Sequence, residues 1–382
     1  MQEIYLDNAA TMPILKEVLA EITETYQADY ANPSSLHSKG YEVEKKMTKS
    51  REHLAKILGV SASEIFFTSG GTESNNLAIL GIARANRQKG NHLLTTAIEH
   101  PSVLEAVRHL EKEGFVIEIL PVDPAGRVDI EELLSKIRPE TILVSVMAVN
   151  NETGVMQDIE AIAQRVKAVR CDIIFHSDCV QAFGKVRMPM LKNVDSISLG
   201  AHKIGGPKGI GLFYLKKGIK IEALLFGGKH QSGLRPGTEN YPAVRAFELA
   251  AELAIAGQQQ HFIKAEQIRQ LFLNELSVQG VDYRLNAPLE LSSPFIINIG
   301  LPDIRAEVLL HALETEGIYI STGSACQSKK NRISHVIEAI RAEYPEGSIR
   351  LSLGYQTSEA EVRQTAVLMA EKIKQLRRFV RK

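Results

Sequence analysis

The stretch LGAHKIGGPKGIGLFYL, residues 199–215, decides the fold. It reads as the end of a strand, a lysine at position 203, a Gly/Pro-rich turn and a second strand, IGLFYL. Such a turn would fix Lys203 against a sheet edge, where desolvation and cationic neighbours can lower its pKa for Schiff-base chemistry. Taken alone, a lysine there can equally be a strand-end cap.

Upstream, short β-branched or apolar runs alternate with helical patterns. The predicted strands are EIFFTS (64–69), HLLTTA (92–97), FVIEIL (115–120), TILVSV (141–146), DIIFHS (172–177) and SISLG (196–200). Helices are expected at 73–88 and 159–169. This alternation predicts an α/β fold with a mostly parallel sheet flanked by helices. After about residue 256 the pattern changes to an amphipathic stretch (261–277), a strand, SPFIINIG (293–300), and the helical run RAEVLLHALETEG (305–317). A final helix places Val362, Ala366, Met369, Ile373 and Leu376 on one stripe, which reads as packing. The expected division is a large domain over 15–256 and a smaller α/β domain made of 1–14 with 257–382.

The 382 residues carry 45 basic and 45 acidic side chains, so no global field favours nucleic acid or an anionic membrane. The basic tail EKIKQLRRFVRK (371–382) reads as a solvated helix face. Apolar runs such as ILVSVMAV are too short to span a bilayer. Cys171, Cys179 and Cys326 form neither a disulfide framework nor a C-x-x-C metal site. A cytoplasmic protein with reduced thiols and no metal is expected.

Three further motifs carry chemistry. TSGGTESNN (68–76) follows a strand and opens a helix, where free N–H groups and the helix dipole favour an anion; the bland alternative is an ordinary N-cap. In FHSDCVQ, Asp178 ends a strand and could pair with a pyridinium nitrogen while Gln181 bonds the ring hydroxyl, although D-x-x-Q alone is usually loop polarity. His100, just after another strand, could stack on a cofactor face. Anion cradle, carboxylate and lysine in this order fit pyridoxal 5′-phosphate. In STGSACQSKKN (321–331), Cys326 sits among small and polar neighbours that suit a thiol on a moving loop better than a packed one.

The chain resembles cysteine desulfurases of the NifS/IscS type, within the class V aminotransferase group of fold-type I pyridoxal-phosphate enzymes. The matching stretches are YLDNAAT (5–11), NPSSLH (32–37), TSGGTESNN, EHPSV (99–103), VNNETG (149–154), AHKIGGPKG, GLRPGTEN (233–240), STGSAC and SIRLSLG (348–354). They cover nearly the whole chain in family order.

The resemblance implies that Lys203 forms the Schiff base with the cofactor and moves the Cα proton. Asp178 and Gln181 would hold the ring nitrogen and ring oxygen, and His100 would stack on the ring and serve in acid–base steps. Gly71, Thr72 and His202 would bind the phosphate, with Thr238 reaching the phosphate of a partner subunit in a homodimer. Asn151 and Arg350 would receive the substrate carboxylate, with Asn32 near the same pocket. Cys326 would take sulfur from L-cysteine as a persulfide, leave L-alanine, and pass the sulfur to an acceptor protein, either an iron–sulfur scaffold or a thiolation enzyme.

The sequence departs from the family pattern at Gly200, where many relatives carry a phosphate-binding serine, and at Cys179, where alanine is usual. Thr322 and Gln327 depart from it within the cysteine loop. Two rival readings are another fold-type I enzyme (a selenocysteine lyase or an aminotransferase, with Cys326 incidental) and a non-catalytic interaction protein.

Overall fold

The computed structural model describes residues 3–322 and 333–380. A short strand near the N-terminus, β1 (Ile4–Tyr5), precedes the seven strands of a large sheet. These are β2 (Ile65–Thr68), β3 (His92–Thr96), β4 (Val116–Leu120), β5 (Thr141–Ser145), β6 (Ile174–Asp178), β7 (Ser196–Gly200) and β8 (Gly211–Leu215). All seven coincide with the strands expected from sequence to within two residues at either end.

Their order in the sheet is β2-β8-β7-β6-β5-β3-β4. Only β8 runs antiparallel to its neighbours, so β2 and β7 point the same way as the parallel block. Strands β3, β5, β6, β7 and β8 are buried along their whole length, as expected for a sheet covered on both faces. The edge strand β4 is partly exposed.

The helix Ile159–Val169 falls where the sequence places it, opened by Asp158, whose side chain accepts from the Ala161 N–H. The stretch 73–88 is less regular. It runs as Gly71–Asn76, then a π-helical turn over Leu77–Gly81, then Ile82–Ala85. A Cβ on Gly81 would lie 2.5 Å from the Glu222 carbonyl oxygen, so close backbone approach accompanies the widened turn.

In the C-terminal part, β9 (Arg284–Leu285), β10 (Ile296–Gly300) and β12 (Ser348–Ser352) form an antiparallel sheet ordered β12-β10-β9. Strand β11 (Ile318–Tyr319) pairs with β1 in parallel. The bridges Asp7↔Ser352 and Ser321↔Arg350 join these two small sheets around Arg350. The last helix, Glu359–Val380, buries Val362, Ala366, Met369 and Ile373 as its stripe predicts. Among the described residues, no helix is long and apolar enough to cross a membrane.

Candidate active site

Strands β2, β3, β5, β6 and β7 all end at the same edge of the large sheet, the usual place for a ligand in an open α/β sheet. The loops leaving them enclose a cavity of about 340 Å³, completed by the N-terminal segment and by Arg350 from β12. Gly71, Thr72, His100, Asn151, Asp178, Gln181, His202, Lys203 and Arg350 all line it.

Lys203 closes a short helical turn after β7. Its Nζ donates to the carbonyls of Ala9 and Ala10, the latter at 2.7 Å. Opposite, Asp178 ends β6, and both of its oxygens are engaged. Oδ1 accepts from the Val180 N–H at 2.9 Å and Oδ2 from Asn75 Nδ2 at 2.6 Å. Asn75 Nδ2 also donates to Ser102 Oγ, and its Oδ1 meets His176 Nε2 at 3.3 Å. Burial pushes His176 down to about 3, so this ring is neutral and fixes the Asn75 amide.

At the end where the sequence places an anion cradle, Gly71 and Thr72 begin a helix. A Cβ on Gly71 would stand 2.6 Å from Val180 Cγ2, so only glycine permits the close packing there. His202 Nδ1 lies 3.2 Å from Thr11 Oγ1. Burial, and then the nearby Lys203, push the imidazole down to about 4, which leaves a neutral ring that donates from one nitrogen. Gly200 has an extended backbone (φ −137°), and a Cβ there would meet Gly71 N at 3.7 Å and His202 Cδ2 at 3.6 Å. The serine of the related pattern would therefore fit beside the cradle.

His100 caps the helix Pro101–Lys112, its Nδ1 accepting from the Ser102 N–H at 3.1 Å. Burial holds its pKa below the usual range; the charge of Asp178 opposes this, and Lys203 and His335 reinforce it. With Nδ1 accepting, the neutral ring carries its proton on Nε2.

Arg350 is buried. Its Nη2 pairs with Asp7 Oδ1 at 2.6 Å and its Nη1 donates to the Asn151 carbonyl at 2.8 Å, while Nε has no partner among the described residues. Two acids here are raised by burial: Glu152, on the cavity wall, to about 7, and Glu99, outside the wall, to about 8. Glu99 accepts from Thr96 Oγ1 and from the Met147 N–H, both at 2.8 Å.

Two expected site residues do not line this cavity. Asn32 is exposed, with its Oδ1 accepting from the Ser34 N–H at 2.9 Å, and Thr238 is also exposed. Cys326 and Gln327 lie outside the described residues. Their flanks are informative: Ser321 bridges to Arg350, and His335 lines the cavity with Nε2 3.0 Å from the Glu99 carbonyl oxygen. Cys179 is fully buried and its thiol is pushed up to about 12 by burial, so it is an inert core residue. Asp7, Asn75, Glu152, Lys185 and His335 were not singled out from sequence. The motifs YLDNAAT and TSGGTESNN held the signal for Asp7 and Asn75.

The family model "Aminotransferase class-V" matches residues 4–365. The chain is 40% identical over 379 residues to "Cysteine desulfurase IscS" of Dictyoglomus turgidum, covering 98% of this chain and 96% of that one. It is also 40% identical over 381 residues to "Cysteine desulfurase IscS" of Methanosarcina thermophila, covering 98% and 93%. Among solved structures, a "NIFS-LIKE PROTEIN" superposes with a TM-score of 0.92 at 36% identity, covering 98% of this chain and 100% of that one. A structure titled "SspA in complex with cysteine" gives 0.79 at 31% identity, covering 94% and 100%. An amine, a carboxylate and an anion cradle on one sheet edge, with matches of this extent, place the chain in the class-V aminotransferase family.

Proposed function

We propose that the chain is a pyridoxal 5′-phosphate-dependent cysteine desulfurase that converts L-cysteine to L-alanine and carries the sulfur as a persulfide on Cys326. The observation that carries the reading is the meeting of Lys203, Asp178 and Arg350 in one cavity with a neutral anion cradle at its end. These residues fit the cofactor: Gly71, Thr72 and His202 for the phosphate, Asp178 for the ring nitrogen, Gln181 for the ring oxygen and Lys203 for the aldehyde carbon. When bound, the cofactor supplies an electrophilic carbon for the substrate amine and a ring that accepts electrons from the substrate Cα.

The remaining work falls to the chain's own groups. Lys203, held over Ala9 and Ala10, is the base that moves the Cα proton. His100, with its proton on Nε2, exchanges a proton in the cavity. Arg350 and Asn151 bind the substrate carboxylate. The Cys326 thiolate attacks the substrate sulfur. An S–S bond forms, the C–S bond breaks, and the carbon keeps the bonding pair and takes a proton to become the alanine methyl group. Of the segment holding Cys326, one flank bridges to Arg350 through Ser321 and the other brings His335 to the cavity wall, which supports the assignment. The match to a structure titled as a complex with cysteine supports the substrate.

The exposed apolar side chains Leu36 (104%) and Phe226 (87%) support a homodimer in which Thr238 and Asn32 serve the cavity of the second copy. The pairing of β1 with β11 supports a two-domain division into 15–256 and 1–14 with 257–382. A cytoplasmic enzyme passing sulfur to an iron–sulfur scaffold or to a tRNA or cofactor thiolation enzyme completes the reading, with Lys329, Lys330 and Arg332 steering an acidic acceptor.

The test is sulfide release from L-cysteine in the presence of dithiothreitol. Cys326→Ala should abolish it while the visible absorption of the bound cofactor persists. Full activity in that variant would overturn the persulfide role.

A further inference from the structure

Lys185 is 2% exposed, and among the described residues it forms no ion pair with a carboxylate. It lies in the turn after β6. Its Nζ is 3.4 Å from Gln181 Oε1 and 5.9 Å from the centroid of the Phe295 ring. Gln181 Nε2 donates to the Ala9 carbonyl at 2.8 Å, and the same carbonyl accepts from Lys203 Nζ. Lys185, Gln181, Ala9 and Lys203 therefore form one hydrogen-bonded chain beneath the cavity.

The ends of this chain fix the Gln181 amide. A carbonyl can only accept, so the amide nitrogen faces Ala9; Oε1 then faces Lys185, whose nitrogen can donate to it in either charge state. The second N–H on Nε2 is then the hydrogen left for a ligand. The Tyr355 hydroxyl donates to the neighbouring Gly184 carbonyl, and the charges felt by Lys185 are Lys203 and Arg350, both positive. Burial, followed by these two cations, pushes Lys185 down to about 7, so the lysine is held there against its own solvation.

We propose that Lys185 is a positioning residue that acts through Gln181 to keep an N–H, rather than a carbonyl oxygen, turned toward the ring oxygen of the bound cofactor. This rests on the cofactor reading above.

The test uses the pyridoxal 5′-phosphate holoenzyme with Lys185→Met, Gln181→Ala and the double variant. Three quantities are read: cofactor affinity, the pH midpoint of the visible absorption, and Tm. Lys185→Met should weaken cofactor binding about fivefold, the worth of one net hydrogen bond. It should also move the midpoint upward, because the ring oxygen loses a donor that favours its anion. Tm should not fall, since an apolar side chain of similar size replaces a buried amine that burial disfavours in its charged form. In the Gln181→Ala background, Lys185→Met should change neither affinity nor midpoint further.

A midpoint and affinity equal to those of the unmodified protein, or effects that add to Gln181→Ala, would overturn the positioning role. Should Lys185→Met fail to fold, Lys185→Gln carries the test. Its N–H should restore the original midpoint, and a shifted midpoint in that folded variant overturns the role. An unmodified protein that binds no cofactor overturns the cofactor reading and the positioning role together. A normal band there with no response in Lys185→Met overturns the positioning role alone.

Discussion

The two ends of the cavity offer an anion opposite kinds of partner. At the end nearest the helix start at Gly71, the donors are neutral: backbone N–H groups, Thr72 and a His202 ring held uncharged by burial. At the other end stands a full charge, Arg350, already paired with Asp7 and braced on the Asn151 carbonyl. A phosphate that stays can be held by many weak fixed dipoles. A carboxylate that must arrive and leave at each turnover is better met by one strong group whose position is fixed beforehand.

The sharpest way to break this comparison is at the charged end. Arg350→Gln removes the fork and leaves Asp7 without its partner. It should raise KM for L-cysteine by about 10²-fold or more while cofactor affinity changes little. Steady-state kinetics and cofactor titration separate the two, and parallel losses in both would show that the ends are not independent.

A smaller effect sharpens the neutral end. Gly200→Ser adds a hydroxyl where there is room for a Cβ beside Gly71 N and His202, and it should tighten cofactor binding about fivefold. Weaker binding in a titration of the apoprotein would show that the cradle is already saturated.

The smallest expected change lies behind both ends. Glu99 has an ordinary pKa of 4.5 and is raised to about 8 in the fold, chiefly by burial. Folding therefore takes up a proton between these values, and the stability that neutral Glu99 contributes is lost as pH rises from 4.5 through 8. Glu99→Gln removes that loss, so its Tm relative to the unmodified protein should be higher at pH 8 than at pH 5 by about a few degrees. His202, lowered from 6.5 to about 4, acts on the other side, destabilising as pH falls through that window. A Tm difference independent of pH would show that Glu99 is ionised at neutral pH.

The half of the site carried by the large sheet was legible because each residue follows a strand whose β-branched run marks it. Asp178, Lys203 and His100 could be placed by counting from strand ends. What could not be read were partners brought together from far apart in the chain. Asn75 meets Asp178 across 103 positions and Arg350 meets Asp7 across 343, and no local pattern announces either pairing. No local pattern marks Lys185 either, because its surroundings include Phe295, more than a hundred positions away. The π-turn within 73–88 escaped notice because its context, the Glu222 backbone, belongs to a distant segment.

The carbonyls of Ala9 and Ala10 that receive Lys203 have a consequence for how this protein tolerates change. The anchoring atoms belong to the main chain, so no substitution deletes them. A single-residue insertion or deletion between β1 and Thr11 would instead slide both carbonyls out of reach. In a complete mutational scan this segment should be intolerant of indels even where they spare Asp7 and the buried Leu6, Asn8 and Ala9, a signature of function written in chain length as well as in side chains.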